Sequence, residues 1–280
     1  MRVSNKARMK RLFSHGGCLD VAIDHGVCNE PSFMVGLEDM AAVVDTLVAA
    51  RPDAIQMAYG QADLLQNCEG RDKPALVMRL DMGNPYNDQR HRVMWSQLQN
   101  EDEPIIGALE MDAACVVVNL FMLPDEPDLF HQCVRNIARV RADCLKYGMP
   151  LMIEPLVMLP NDVRGGYQVD GNADKIVTLV RLASEMGADI IKADPTENPD
   201  DFHRVVEAAR CPVLVRGGGK EDLETVLRKS ARLMAQGANG MVYGRNIYQH
   251  ANPRAVVAAL MAMIHNGASG EEAWDIYNRG

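Results

Sequence analysis

The chain has 280 residues, of which 48% are hydrophobic, and a formal net charge of −9. That composition supplies a large core and excludes a disordered chain. The acidic balance argues against a broad nucleic-acid surface, and no apolar run reaches the roughly 18 residues of a membrane span.

The N-terminal stretch MRVSNKARMKRLF is basic but lacks the apolar core of a signal peptide, and reads as an amphipathic helix. Next comes GGCLDVAIDHG, in which residues 19–23 form a strand and Asp24-His25-Gly26 its exit. A helix over 36–51 leads to a second strand over 54–57 and a short helical segment over 62–66. ALVMRL, residues 75–80, is the third strand, with Arg79 and Asp81 near its end. Residues 83–92 are polar and rich in Asn, Asp and Pro, and read as a loop long enough to serve as a lid or subunit contact. The pattern over 93–108 predicts a helix broken before Pro104. CVVVN, residues 115–119, is the fourth strand, and 129–147 is a helix with Val134, Ile137, Ala138 and Leu145 at helical spacing. The fifth strand, 151–154, ends in Glu154-Pro155-Leu156. A polar loop over 161–171 and a helix over 175–186 follow.

The next strand is the centre of the chain. Ile190-Ile191 lies between Gly187 and Pro195, and the strand ends in Lys192. Lysine is rarely buried. One at the end of an internal strand either pairs with a carboxylate for structure or is a desolvated amine that can attack a carbonyl. After a helix over 200–210, the seventh strand, 213–216, breaks at RGGGK. A helix over 223–236 leads to the eighth strand, 240–243, then GRNIYQH and helices over 253–264 and 271–277.

Eight strands alternating with helices, with no Pro-, Gly- or Ser-rich linker, match a (β/α)8 TIM barrel, which is typically about 250 residues long. An open doubly wound sheet also alternates, but the count favours one barrel domain over 1–280 with an extra N-terminal helix. Strand C-termini of a barrel converge on one mouth. The groups there are Asp24, Gln56, Arg79 or Asp81, Asn119, Glu154, Lys192, Arg216 and Tyr243. Gly217-Gly218-Gly219 and Gly244-Arg245-Asn246 follow strands seven and eight, where many barrels bind phosphate through backbone N–H groups. Tight turns are the plain alternative. Arg245 can add charge-assisted bonds. Asp24 is either an acid/base near Lys192 or a carboxylate that caps the following turn or pairs with a basic neighbour. His25 reads as structural. Glu154 is either a proton carrier or an ion-pair partner that keeps Lys192 protonated. The seven cysteines are scattered without a CxxC pair, and no histidine cluster has ligand spacing, so neither a metal nor a disulfide framework is expected. A reducing cytoplasm is the natural setting.

A lysine, two carboxylates and a phosphate cradle suit a phosphorylated carbonyl substrate, because lysine forms an imine that accepts the electrons of a breaking C–C bond. Those residues resemble the class I, Schiff-base aldolases of the DeoC/FbaB/LacD superfamily. The likeness is closest to the DhnA-type, archaeal fructose-bisphosphate aldolases and their relatives, the aminodeoxyhydroxy-sugar synthases and the thiolase of autoinducer breakdown. It rests on VAIDHGVCNEP, GMPLMIEP, GADIIKADP, PVLVRGGGK and GANGMVYGRNIYQH in that order, and covers nearly the whole chain.

The resemblance implies that Lys192 forms the imine and that Asp24 is the aspartate of the DHG motif. It also implies that Gly217, Gly218, Gly244 and Arg245 bind phosphate, with Arg216 in the same substrate-binding set. The archaeal-type members place a tyrosine just after strand five, where this chain has Glu154-Pro155-Leu156. That pair looks like the tagatose-bisphosphate and sulfofructose-phosphate aldolases, which makes Glu154 the preferred proton carrier. The expected activity is cleavage of a phosphorylated ketose, such as fructose 1,6-bisphosphate, to dihydroxyacetone phosphate and an aldehyde. No cofactor is expected. The alternatives are a lysine-dependent thiolase, a transaldol-type synthase, or a non-catalytic phosphosugar-binding protein. A homo-oligomer is expected, in contact through 83–92 and the terminal helices.

Overall fold

The strands are short apolar runs bounded by glycine, proline or a polar exit, and most of their residues are buried. Such runs need cover on both faces, which a closed parallel barrel wrapped in helices provides. The computed structural model describes residues 5–70, 72–86, 93–163 and 166–280. Among these, eight parallel strands close a barrel: β1 (Cys18–Ala22), β2 (Ala54–Ala58), β3 (Ala75–Arg79), β4 (Cys115–Met122), β5 (Leu151–Pro160), β6 (Ile190–Ala193), β7 (Val213–Arg216) and β8 (Gly240–Tyr243). Their hydrogen-bonded order is β4-β3-β2-β1-β8-β7-β6-β5, and β5 pairs back onto β4 through Val116↔Leu151 to Met122↔Val157. The ring therefore has no open edge.

Four of the long helices start where the sequence supplies a cap. Asp39, Asn172, Asp222 and Asn252 accept the backbone N–H three residues on, opening Met40–Ala50, Ala173–Glu185, Leu223–Ala235 and Pro253–Asn266. Among the described residues no helix is long and apolar enough to cross a membrane.

Period-two alternation divides each strand between two cores. Leu19 and Val21 of β1 pack toward the helices, whereas Cys18 and Ala22 belong to a second cluster inside the barrel with Ala54, Ala75, Val77, Cys115 and Val117. Several of these inward side chains are small. Met9 and Leu12 of the N-terminal helix Lys6–Leu12 fill the remaining space in the same cluster. The basic face of that helix is tied down as well, Arg11 reaching Asp112 at 3.1 Å. Leu12 is 1% exposed. Leu12→Ala is therefore expected to cost about 2–5 kcal/mol, measured as a lower urea midpoint with an unchanged m-value.

Two expected segments change type. The predicted helix over 93–108 is absent. Ser96–Leu98 is instead a strand paired antiparallel with Asp81–Gly83, and only Ile106–Glu110 is helical. The reason is the period: Met94, Ser96 and Leu98 are buried while Gln97 is exposed, which is strand alternation. The predicted loop over 161–171 holds the strand Tyr167–Val169, which folds back on an extended β5. Of the expected lid or contact over 83–92, residues 87–92 lie outside the described residues.

Candidate active site

Barrel closure brings the polar strand ends together. Lys192, 5% exposed, ends β6 with its Nζ 3.1 Å from Glu154 Oε2 and 3.3 Å from Gln56 Oε1. Gln56 Nε2 donates to Asp24 Oδ2 at 2.6 Å, so Asp24 is linked to Lys192 through the β2 amide. Arg79, from β3, donates through Nε to Asp24 Oδ2 at 2.8 Å and through Nη2 to Glu154 Oε2, and pairs with Asp81 at 3.3 Å. Arg216, from β7, spans Glu154 Oε1 at 2.9 Å, Asp194 Oδ1 at 2.8 Å and the Tyr86 hydroxyl at 2.7 Å. Asn119 lines the cavity and is held by Asp81, to which its backbone N–H donates at 2.8 Å and its Nδ2 at 3.1 Å. Tyr243 is not a mouth residue. Alternation points it outward, and its hydroxyl meets Ser230 Oγ at 2.8 Å while Val242 and Gly244 line the cavity.

Glu154 is the hub of this network. Burial alone would raise its carboxyl, but Lys192, Arg79 and Arg216 outweigh burial and hold it well below the usual carboxylate range. Burial also opposes ionisation of Asp24, and Arg79, Lys192 and His25 overcome it, so that carboxyl is lowered too. Asp194 has one partner in Arg216, and burial wins, pushing it up to about 6. The Tyr86 phenol is pushed up by burial against the pull of Arg216, so it remains protonated.

The two glycine loops flank the same cavity, which encloses ≈ 690 Å³ including its opening to solvent. Their glycines have different jobs. Gly217 N–H is used on Val242 O at 2.9 Å, and a Cβ there would stand 3.1 Å from the Tyr243 ring. At Gly244 a Cβ would meet His25 Cε1 at 2.5 Å and Ala22 O at 2.6 Å, so close packing requires glycine. Gly218 faces open space. Arg245 lays its guanidinium over the Phe33 ring at 4.2 Å and donates to Gly218 O at 3.2 Å, which holds its charge at the rim of that loop. His25 packs edge-on against Phe33 and Tyr248.

Three site residues were not singled out from sequence. Tyr86 sits in an irregular segment without periodicity, so nothing local marked it. Gln56 appeared only as a strand end. Asp20 had a signal, an acid inside the apolar run LDVAI. It is fully buried on β1, and neither carboxyl oxygen has a hydrogen-bond partner among the described residues. Burial pushes it up to about 8, with Lys192 opposing and Asp24 reinforcing. Its folded value lies above the unfolded value near 4, so the unfolded chain ionises first and stability falls between about pH 4 and pH 8. Asp20→Asn mimics the protonated acid. It is expected to match the parent near pH 4 and to exceed it by a few kcal/mol at pH 8, read from urea midpoints at both pH values.

Residues 18–250 match the model of the DeoC/LacD family aldolases. The chain is 32% identical to an uncharacterised aldolase of Saccharolobus solfataricus, over 98% of this chain and 99% of that protein. It is 29% identical to the 2-amino-3,7-dideoxy-D-threo-hept-6-ulosonate synthase of Halobacterium salinarum, over 95% and 94% of the two chains. The fold also matches an archaeal fructose-1,6-bisphosphate aldolase solved with its catalytic lysine bound to the carbinolamine intermediate. The TM-score is 0.77 at 22% identity, covering 93% of this chain and 99% of that one.

Proposed function

Because the chain belongs to the DeoC/LacD family of aldolases, we propose that it is a class I aldolase that cleaves a phosphorylated ketose through an imine on Lys192. The observation that carries this reading is a buried lysine amine 3.1 Å from a carboxylate, at the mouth of a barrel whose last two loops are glycine-rich. That separation is within proton-transfer reach.

The steps follow from the charges. Lys192 gives a proton to Glu154 and attacks the ketose carbonyl as a neutral amine, forming a carbinolamine. Loss of the ammonium removes one of the three cations that hold Glu154 ionised, so its proton affinity rises when it must accept. Glu154 returns the proton to the carbinolamine hydroxyl, water leaves, and the iminium restores the positive charge. A base then takes the hydroxyl proton beyond the scissile bond. The bond's electrons move into the iminium, an aldehyde departs, and the enamine is protonated at carbon. Hydrolysis releases the three-carbon product and frees Lys192. Asp24, held by Arg79 and Gln56, positions the amine and a substrate hydroxyl. Gly218 and Arg245 bind the phosphate, whose remote binding energy orients the reacting carbon. Gly217 and Gly244 allow that approach, and Arg216 orients Glu154.

The test is borohydride reduction with a panel of phosphoketoses, fructose 1,6-bisphosphate among them, followed by peptide mass spectrometry. A substrate-dependent adduct on Lys192, together with release of dihydroxyacetone phosphate, supports the proposal. Absence of any adduct across the panel sinks it. The likeness to the halobacterial synthase favours a second reading, in which the same imine passes its carbon unit to another carbonyl acceptor. That reading predicts the adduct without product release until an acceptor aldehyde is added.

A further inference from the structure

The closed end of the barrel brings together three side chains that the sequence keeps far apart. His15 lies in the turn before β1, Asp53 immediately before β2, and His265 near the end of helix Pro253–Asn266. One ligating atom from each lies within 4.8 Å of the other two. His265 Nε2 is 2.8 Å from Asp53 Oδ2, which also accepts the Leu19 N–H at 2.7 Å. His15 meets the His265 ring edge-on with centroids 5.6 Å apart, and its Nδ1 is 2.9 Å from Ser14 Oγ. The other nitrogen of His265, Nδ1, is buried and has no hydrogen-bond partner among the described residues.

A hydrogen-bonded clamp accounts for part of this arrangement, since His265 Nε2–H can donate to the carboxylate that holds the start of β1. It gives no reason for a second imidazole to lean on the first. We propose that His15, Asp53 and His265 form a binding site for one divalent transition-metal ion of zinc's class. Two imidazoles and one carboxylate are a donor set that zinc accepts, with the fourth position left to water on the open side beside His15. Asp53 supplies the negative charge, and the ion takes the place of the proton that His265 Nε2 and Asp53 Oδ2 share at 2.8 Å. Bonds of about 2.0–2.2 Å place tetrahedral ligands about 3.4 Å apart. The Asp53–His265 pair, at 2.8 Å, lies inside that separation and parts slightly to admit the ion. The remaining closure falls to His15, which is exposed on a turn and can rotate without disturbing the core.

The site lies at the N-terminal ends of the strands, across the barrel from Lys192. Its ion ties the turn before β1, the entry to β2 and the last long helix together, so its effect is on stability and is independent of the proposed chemistry. The test uses the full chain, free of any tag and dialysed against chelator, titrated with zinc chloride by calorimetry and by thermal melting. One zinc per chain is expected. The melting temperature should rise by about 5 °C at zinc a hundredfold above the Kd. His15→Ala, an exposed change that keeps the zinc-free melting temperature, should weaken zinc binding roughly tenfold or more. His265→Gln should do the same. Absence of saturable binding, absence of the thermal shift, or unchanged stoichiometry and affinity in His15→Ala would each overturn the site.

Discussion

Lys192→Ala is expected to lower kcat/KM for the phosphoketose on the order of 10⁴-fold or more, the scale seen when a covalent nucleophile is removed. Borohydride should then add no mass to the protein. Alanine also strips a cation from a hub that holds two arginines and four carboxylates within reach, so part of the loss could be electrostatic. Lys192→Arg separates the two causes. Arginine keeps a positive charge beside Glu154 but stays protonated at any working pH and cannot form an imine. If the amine acts as a nucleophile, arginine is as inactive as alanine while the thermal stability of the parent is largely retained. Arginine activity within tenfold of the parent would show that Lys192 serves only as a charge.

Glu154→Gln is expected to lower kcat about 10²–10⁴-fold, the range for loss of a positioned acid/base. The sign of the accompanying change in imine formation decides what Glu154 does. Glutamine removes the anion at 3.1 Å from Lys192 and leaves Arg79 and Arg216 nearby. Like charges then favour the neutral amine. A shuttle therefore predicts slow turnover with imine trapping still present at neutral pH. A simple lock that keeps Lys192 protonated predicts the reverse, faster imine formation and faster turnover. Breaking a buried pair by removing one partner costs about 3–5 kcal/mol, so melting curves must accompany the kinetics. Glu154→Asp, which keeps the charge on a shorter arm, should recover stability better than rate.

The barrel was legible because its signals are local. A run such as Val213-Leu214-Val215 followed by Arg216-Gly217-Gly218 declares a strand and its exit within six residues, and eight such units leave few topologies. The misread helix over 93–108 shows the limit of that reading. Ser96–Leu98 is a short strand whose partner, Asp81–Gly83, is itself short, and pairing of that kind carries little propensity. Strand β5 was read as ending at Glu154, yet it continues through Pro155 to Pro160 because β4 and the hairpin strand Tyr167–Val169 supply its hydrogen bonds.

The candidate site divides the same way. Lys192, Glu154 and Asp24 stood out because a charged group at the end of an apolar strand is conspicuous in one dimension. Tyr86 did not, and neither did the pairing of His15 with His265, because nothing in the intervening chain marks either. Glycine was read as a backbone donor at both glycine-rich loops. At Gly217 and Gly244 the tertiary contacts show that its missing side chain matters as much.

By itself the amino-acid sequence determined the alternation of strands and helices, the count of eight and the placing of a lysine at the end of the sixth strand, since each follows from apolar period and turn chemistry over a few residues. Only the closed barrel decided which charges meet. It put Glu154 among Lys192, Arg79 and Arg216, linked Asp24 to Lys192 through Gln56, and left Asp20 without a hydrogen-bond partner among the described residues. The ionisation of a buried group depends on the charges within a few ångströms and on the absence of water. In a barrel those neighbours come from different strands, as Gln56 and Lys192 meet from 136 positions apart.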